Sequence, residues 1–458
     1  MPTPHDVRVR RVEEQARLTR LSQPGRQVSL AALVIATLIL APISTAGQAL
    51  PERTATGWSA TVLPRSKGFP AAALVVGVAV GPSSLVAVGE RLCERARRDT
   101  FRCSGQAWTS PDGTAWEAVD ARTSGLDLGY LRPVIGGPEI GLAGVAFGPG
   151  GFVAFGRAQA KIDGRQVSAV WRSDDGGSWE RVPTDSAFPT GARLWTILGA
   201  DDGYMLGGVI YGERAPRAAI WSSPDGRTWT LARGRGTFEI GGYIDTLEDP
   251  ASGGVNAFAT YPGPTDGRGS IATGAVAVGQ GCMPSFDEDP WAWNGACWGE
   301  LWRSPDGLTW RKRDMPRTRG GATTVATIGP RIVADAPICW EGCPSAILVS
   351  DDGSAWRIAH GSPVDGELVA VTAAAGRFHA LLKVPDQDSG WQSLALWSSV
   401  DGTDWSLEEA QPTLPGGGMT FHDVDLAVAG DHRLVVTAAG ESAPDGAFTS
   451  IALLGPPT

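Results

Sequence analysis

The sequence lacks the local patterns by which most enzyme classes are recognised. It contains no G-x-S-x-G nucleophile elbow, no phosphate-binding P-loop, no H-E-x-x-H helix and no EF-hand loop. Its six cysteines include no C-x-x-C pair, which argues against a structural zinc site. Histidine and tyrosine number five each, and His379 and His422 fall in strand-like runs where core packing is expected. We therefore expect no metal and no cofactor.

A basic stripe is also missing. The formal net charge is −10, and residues 1–27 already hold six arginines against three acids. The rest of the chain therefore carries 33 basic and 46 acidic residues. An acidic body without a basic stripe does not attract polyanions. Nucleic acid is not expected as a partner.

The N-terminus has the pattern of an export signal. A basic segment, residues 1–27, precedes the segment 28–50 with its apolar run SLAALVIATLILAPI (29–43). The short run and the small residues of 44–49 favour a cleaved signal peptide, whereas the long basic leader and the added length to Leu50 favour an uncleaved membrane anchor. Both place residues from about Leu50 onward outside the cytoplasm, because positive charge keeps the N-terminus inside.

The remaining residues, 51–458, repeat a short box of the pattern S-x-D-G-x-x-W. The copies are SPDGTAW (110–116), SDDGGSW (173–179), SPDGRTW (223–229), SPDGLTW (304–310), SDDGSAW (350–356) and SVDGTDW (399–405). Asp binds nearby backbone amides, Gly adopts positive φ, and Trp opens the next strand as an apolar plate. The boxes therefore predict structural turns, centred on Asp112, Asp175, Asp225, Asp306, Asp352 and Asp401.

Two further strand-like runs precede each box, so each repeat holds four strands at a spacing of roughly fifty residues, as in a propeller blade. Residues 419–454 provide only three strands and no box, whereas TGWSATVLP (56–64) resembles a strand that follows a box. We therefore predict an all-β, seven-bladed propeller of four-stranded blades. In it the N-terminal strand completes the last blade, and Trp58 is the seventh plate. In the long fourth repeat, 249–269 and 281–298 are interpreted as loop insertions.

The boxes resemble the Asp-box, or bacterial neuraminidase repeat, of sialidase-type propellers, in a version one residue shorter than usual. The resemblance implies that the box is a turn distant from any catalytic centre. It also implies, for a sialidase, three arginines, a Tyr–Glu pair and an Asp. Tyr243 near Glu239 is the one pairing that can be proposed, and Arg132, Arg193 and Arg235 cannot be assigned to one site. A sialidase-like glycoside hydrolase is therefore kept as the alternative function.

The cysteines fall in one kind of loop. In a four-stranded blade the loop between strands two and three lies on the face opposite the box. We call the face that carries the loops between strands two and three the cysteine face, and the face that carries the boxes the box face. Six cysteines permit fifteen pairings. Position favours the three disulfides Cys93–Cys103, Cys282–Cys297 and Cys339–Cys343.

Tryptophans outside the repeat pattern are assigned to the same loops. They are Trp291, Trp293, Trp298, Trp340 and Trp391, with Asp287 and Asp289 beside the densest group. Exposed aromatic rings beside acids suit stacking on a sugar or anchoring a peptide. The other interpretation is that these rings cap the blades as small satellite cores. We predict a monomeric, non-catalytic module that binds a glycan or protein at the cell surface. Besides the glycoside hydrolase alternative, a purely architectural domain is a third hypothesis.

Overall fold

The structure is a computed structural model. It describes residues 52–456 except 54–56, 68, 70–72, 98–99, 132–139, 161–164, 185–186, 212–215, 233–237, 239–253, 266–270, 283–296, 317–320, 338–344, 361–365, 386–390, 409–410, 413, 415–418, 430–431 and 443–446. All belong to one compact unit, Leu50–Thr458. The expected segments 1–27 and 28–50 lie outside the described residues. Within the part described, no helix has the length and hydrophobicity of a membrane crossing.

The described residues form thirty strands and no helix. The first eleven are β1 (Glu52–Arg53), β2 (Ser59–Val62), β3 (Val75–Val80), β4 (Leu85–Arg97), β5 (Thr100–Ser110), β6 (Glu117–Ala118), β7 (Asp127–Leu131), β8 (Gly141–Gly148), β9 (Gly151–Gln159), β10 (Gln166–Ser173) and β11 (Glu180–Val182). The next eight are β12 (Ala192–Ala200), β13 (Gly203–Ile210), β14 (Arg217–Ser223), β15 (Thr230–Leu231), β16 (Gly254–Thr265), β17 (Ile271–Cys282), β18 (Cys297–Ser304) and β19 (Arg311–Arg313). The last eleven are β20 (Val325–Ile328), β21 (Arg331–Pro337), β22 (Ser345–Ser350), β23 (Trp356–Ile358), β24 (Glu367–Ala374), β25 (Arg377–Pro385), β26 (Gln392–Ser399), β27 (Ser406–Leu407), β28 (Met419–Val428), β29 (Leu434–Ser442) and β30 (Ala447–Leu454).

The strands pair in chain order into antiparallel sheets. Five sheets contain β3–β6, β8–β11, β12–β15, β16–β19 and β20–β23, and β7 adds to the first of them by pairing with β5. The remaining strands form a nine-stranded sheet in which β24–β27 and β28–β30 meet at the pair Gln392 and Met419. Strands β16 and β17 occupy most of the range 249–282, so the interpretation of 249–269 as an insertion is wrong.

The first strands of successive runs contact one another in a ring. β3 contacts β8, and the contacts continue through β12, β16, β20, β24 and β28, which contacts β3 again. The approach of β3 to β8 is close, since a Cβ on Gly77 would lie 3.1 Å from the Cα of Gly144. A closed ring of radially arranged antiparallel sheets is the architecture of a β-propeller.

The boxes are the turns that their residue types predict. The box glycines have φ between 69° (Gly307) and 81° (Gly113), a region that favours Gly. In the second box, Gly176 N donates to Ser173 Oγ at 2.8 Å, and Gly177 N and Ser178 N donate to Asp175 Oδ1 at 2.8 and 3.0 Å. The box oxygens are thus used within the turn.

Each box tryptophan fills the space between its own sheet and the preceding one. Trp179 Nε1 donates to Gly176 O at 2.8 Å, which fixes the ring at the turn. Its ring joins an apolar cluster with Val86 and Val88 of the preceding sheet. Trp116, Trp229, Trp310 and Trp405 occupy corresponding clusters, and Trp356 packs partly against another. Burial of these rings stabilises the contacts between neighbouring sheets.

The N-terminal strand completes the last sheet, as the sequence predicts. β2 pairs with β30, with Ser59 opposite Leu454 and Val62 opposite Ile451. Trp58 is 1 % exposed and packs with Leu381 and Leu396 of the preceding run of strands, β24–β27. β2 therefore joins the last strand, β30, and covers its otherwise unpaired edge.

The Trp58→Ala variant should be strongly destabilised, because it removes a fully buried plate at the closing seam. We expect a loss of about 3–5 kcal/mol, measured from urea unfolding at constant temperature. Val62→Ala, on the same strand but with a 55 % exposed side chain, is the matched control and should change stability by less than about 0.5 kcal/mol. Equal shifts in the two variants would contradict closure by Trp58.

Candidate functional site

One predicted disulfide is confirmed on the cysteine face. Cys93 of β4 and Cys103 of β5 are directly opposite in register and form a disulfide, with Cα atoms 4.1 Å apart. The strands continue past the disulfide to Arg97 and Thr100, so the bond joins two strands of a long hairpin instead of closing a loop. β7 pairs with β5 and buries Leu128 fully. This hairpin, cross-linked by the disulfide, extends the cysteine face.

The other two disulfides stay predictions. Cys282 and Cys297 are opposite each other in β17 and β18, the same strand pair of the sheet as for Cys93 and Cys103. Cys339 and Cys343 lie outside the described residues. The register of the first pair is thus compatible with the predicted bond.

Most of the predicted ligand-binding residues lie outside the described residues, namely Trp291, Trp293, Trp340, Asp287 and Asp289. Trp298 is described, and it lies in strand β18, not in a loop. Its ring packs over Gly281, and its Nε1 donates to Glu300 Oε1 at 2.5 Å. Glu300 is 2 % exposed and pairs with Lys312 at 2.6 Å. Trp298 is therefore integrated into the hydrogen-bonding of its blade.

Trp391 is half-buried at the start of β26. Its neighbour Gln392 accepts a hydrogen bond from Phe421 N at 3.0 Å through Oε1. This contact places the cysteine-face end of β26 beside the start of β28. Trp391, one of the predicted ligand-binding residues, therefore lies near the start of β28.

An aromatic pair is exposed at that end of β28. The rings of His422 and Phe448 stack with centroids 5.5 Å apart and an interplanar angle of 29°. Both side chains are exposed, Phe448 at 50 %. The expectation of core packing is correct for His379, which is 3 % exposed, but wrong for His422. The register of β28 with β29 shifts between Phe421 and Asp423, so His422 is the extra residue of a bulge and turns outward.

Charged groups lie next to the aromatic pair. Lys383 Nζ is 3.6 Å from Glu367 Oε1. Asp423 reaches solvent, yet protein surrounds enough of its carboxyl that burial raises its pKa, while the positive charges of Lys383 and His422 act in the opposite direction. We call Glu367, Lys383, Trp391, His422, Asp423 and Phe448 the rim cluster. It combines stacking surface with hydrogen-bonding groups of both charges.

A second carboxylate follows on the same strand. Asp425 Oδ2 accepts from Val78 N at 2.9 Å, and Oδ1 accepts from Leu426 N at 2.9 Å. Burial raises the pKa of Asp425, and the nearby Asp423 raises it further. Its bond to Val78 connects β28 of the last run of strands to β3 of the first run. Residues 423 and 425 point to one side of the strand because side chains alternate.

An arginine–tyrosine group lies elsewhere on the cysteine face. The Arg193 guanidinium is 5.3 Å from the Tyr211 ring centroid. Burial raises the pKa of Tyr211, against the effect of Arg193 and Arg157. Arg193 lies on β12. Around the ring of first strands, β3 and β8 lie between β12 and β28 in one direction, and β16, β20 and β24 lie between them in the other. The remaining residues of the sialidase hypothesis, Arg132, Arg235, Glu239 and Tyr243, lie outside the described residues.

One buried carboxylate is structural. Asp335 is 1 % exposed, and its oxygens accept from Thr323 N, Thr323 Oγ1 and Thr324 N at 2.6, 2.7 and 2.9 Å. Thr324 Oγ1 in turn accepts from Val371 N of the next sheet at 2.8 Å. Burial raises the pKa of Asp335 to about 6. Among the described residues, no group of three or more His, Cys, Asp or Glu side chains could hold a metal.

Comparison with known proteins shows likeness of fold. No known family pattern and no curated protein sequence matches the chain. The propeller domain of the Trilobed protease from Pyrococcus furiosus is similar at 11 % identity and a TM-score of 0.45, over 83 % of this chain and 93 % of that one. An α-L-arabinanase from Penicillium chrysogenum is similar at 13 % identity and 0.41, over 68 % and 92 %. An α-L-arabinofuranosidase from Fusarium graminearum is similar at 13 % identity and 0.41, over 86 % and 97 %.

Stability should be greatest at mildly acidic pH. Backbone N–H donors are the largest cause that lowers the pKa of Asp112, Asp175, Asp225, Asp352 and Asp401. In Asp306 burial is the largest cause and opposes, yet the pKa is still lowered. These groups stabilise the fold above their ordinary pKa, and the stabilisation is lost as the pH falls below about 4. Asp335 acts oppositely, because its stabilisation is complete below about 4 and is lost as the pH rises through about 6.

The variant Asp335→Asn tests this assignment. Its Oδ1 can keep both bonds from Thr323 N and Thr324 N, whereas it cannot ionise. We expect the decline of the unfolding free energy between pH 4 and 7 to flatten, by about 3 kcal/mol at most. Urea unfolding across pH 3–8 measures it. An unchanged profile would contradict the role of Asp335, and Asp120→Asn, at an exposed turn, is the control.

Proposed function

We propose that the protein is an exported or membrane-anchored seven-bladed propeller that binds a glycan through the rim cluster of its cysteine face. The ring of first strands and the apolar clusters between successive sheets support seven blades. The box resemblance supports an Asp-box propeller. The apolar segment before Leu50 and the Cys93–Cys103 disulfide support a location outside the cytoplasm.

The observation that carries the binding role is the exposed stack of His422 on Phe448. An exposed Phe on a rigid strand gains little from the fold itself, whereas its flat face suits the C–H face of a sugar ring. Asp423, Lys383 and Glu367 lie within the same cluster and can bond to sugar hydroxyls. Trp391 offers a second ring at the end of β26. A sugar-binding site needs only a few well-placed polar groups beside its aromatic rings. Binding alone therefore explains the side chains of the rim cluster.

Loss of the exposed ring should weaken glycan binding without unfolding the protein. We expect Phe448→Ala to reduce affinity about tenfold, since one stacked ring contributes about 1–1.5 kcal/mol. Calorimetric titration of the full chain in detergent, against neutral polysaccharide and cell-wall glycan fragments, measures the affinity.

Tyr130→Ala is the matched control, because Tyr130 is a 52 % exposed aromatic residue on another strand of the same face. Its affinity should equal that of the unmodified chain. If instead Trp291→Ala with Trp293→Ala abolishes binding and Phe448→Ala does not, the site lies in the 282–298 segment. Capture of a protein and no glycan would reject the glycan role.

A glycoside hydrolase is the second candidate, because Asp423 and Asp425 are two carboxylates on one side of a strand, both with raised pKa. Glycoside hydrolysis needs such a pair, one protonated. The bonds of Asp425 to Val78 and Leu426 favour a structural role for it. Turnover of a fluorogenic glycoside panel, reduced at least about 100-fold by Asp423→Asn, would support the enzyme. Absence of turnover would leave the binding role alone.

A further inference from the structure

The box face of the β16–β19 sheet carries an open cavity of about 380 Å³. It lies on the side opposite the rim cluster, so it is independent of the proposed glycan site. Its lining includes Tyr261, Arg303, Asp306, Thr309, Arg311 and Arg313. The volume is that of a small-ligand pocket. Three arginines thus line one concave space in a chain with a negative net charge.

Two of these arginines have no acidic partner among the described residues. Arg311 and Arg313 are exposed on the short strand β19, and side-chain alternation directs both to one side. Lys312, between them, turns the other way and pairs with the buried Glu300 at 2.6 Å. The residues that follow the other box tryptophans are Glu117, Glu180, Thr230, Arg357 and Ser406. The run of three basic residues after a box therefore belongs to this sheet alone.

The third arginine is held in place. The Arg303 guanidinium lies 4.5 Å from the Tyr261 ring centroid, and its Nη1 donates to the carbonyl of Asp352. The Tyr261 hydroxyl donates to Ser304 O at 3.0 Å. Arg303 Nε is buried and has no acceptor among the described residues. The ring contact and the hydrogen bond to Asp352 fix the Arg303 guanidinium at the wall of the cavity.

The carboxylate in the lining does not neutralise these groups. Asp306 Oδ1 accepts from Leu308 N at 2.9 Å, Thr309 N at 2.7 Å and Ser304 Oγ at 3.0 Å. Its Oδ2 accepts from Thr309 Oγ1 at 3.1 Å. Asp306 therefore serves its own box turn, and its single negative charge offsets only one of the three arginines, so the lining keeps a net positive charge.

We propose that this cavity binds the phosphate group of a small phosphate ester. Guanidinium groups bind phosphate oxygens through paired hydrogen bonds, which a point charge cannot reproduce. The cavity is large enough for the phosphate together with a glycerol- or sugar-sized substituent. Such an ester can be soluble or can be a lipid headgroup.

Titration of the full chain in detergent with glycerol 3-phosphate tests the proposal, at ionic strength held constant with chloride. We expect saturable binding that weakens at least tenfold in the double variant Arg311→Ala with Arg313→Ala. Arg102→Ala with Arg217→Ala removes the same charge from exposed positions at the cysteine-face ends of β5 and β14 and should bind normally. Arg311→Lys with Arg313→Lys keeps the charge and should still lose affinity.

Dihexanoyl phosphatidylglycerol, with dihexanoyl phosphatidylcholine as its control, distinguishes the source of the ester. Saturable binding of the phosphatidylglycerol alone, lost in the Arg311 and Arg313 double variant, would assign the site to lipid headgroups. Binding of glycerol 3-phosphate would assign it to soluble esters. Saturable binding of neither, or equal weakening in both alanine double variants, would overturn the proposal. Glycan binding at the rim cluster should be unaffected in every variant.

Discussion

Burial of each sheet against its neighbour is the interaction on which the other features of this protein depend. A four-stranded sheet with apolar side chains on both faces cannot hide them by itself. Here every sheet meets the next through a cluster that includes large rings such as Trp108, Trp171 and Trp221. An open series of such sheets would leave two bare faces. The pairing of β2 with β30 removes them, because it brings Trp58 between the last two runs of strands.

The boxes serve the same requirement locally. The turn between the third and fourth strands must place a large ring against the preceding sheet, and it must do so without leaving backbone N–H groups unpaired. The Ser and Asp oxygens accept those N–H groups, and the Gly carbonyl accepts the indole N–H, as in Ser173 to Trp179. Residues so fully used by their own turn have little capacity for a ligand. This is why the repeated aspartates are structural even though they are exposed acids.

The fold is easier to predict from the sequence than the candidate binding site. Box spacing and the incomplete last repeat are enough to predict four-stranded units and the return of the N-terminal strand, since both follow from letters that repeat. The outward turn of His422 depends on a bulge, and a one-residue slip leaves no mark in the pattern of apolar letters. Phe448 likewise lies in an ordinary strand-like run. Trp298 belongs to the range 281–298, which the sequence predicts to be a loop insertion, whereas strand β18 begins at Cys297.

Both proposed sites lie where the repeat is broken. A strand pattern that recurs in every blade is explained by packing, so its residues need no other role. β28 belongs to the run of strands without a box, and it has an exposed aromatic side chain, His422, at a bulge that most first strands share. β19 carries the one run of three basic residues that follows a box. Neither departure improves the packing between sheets: Phe448 is half exposed, and Arg311 and Arg313 project into solvent. In a ring held together by repetition, side chains that leave the pattern without being buried are the ones free to meet a ligand.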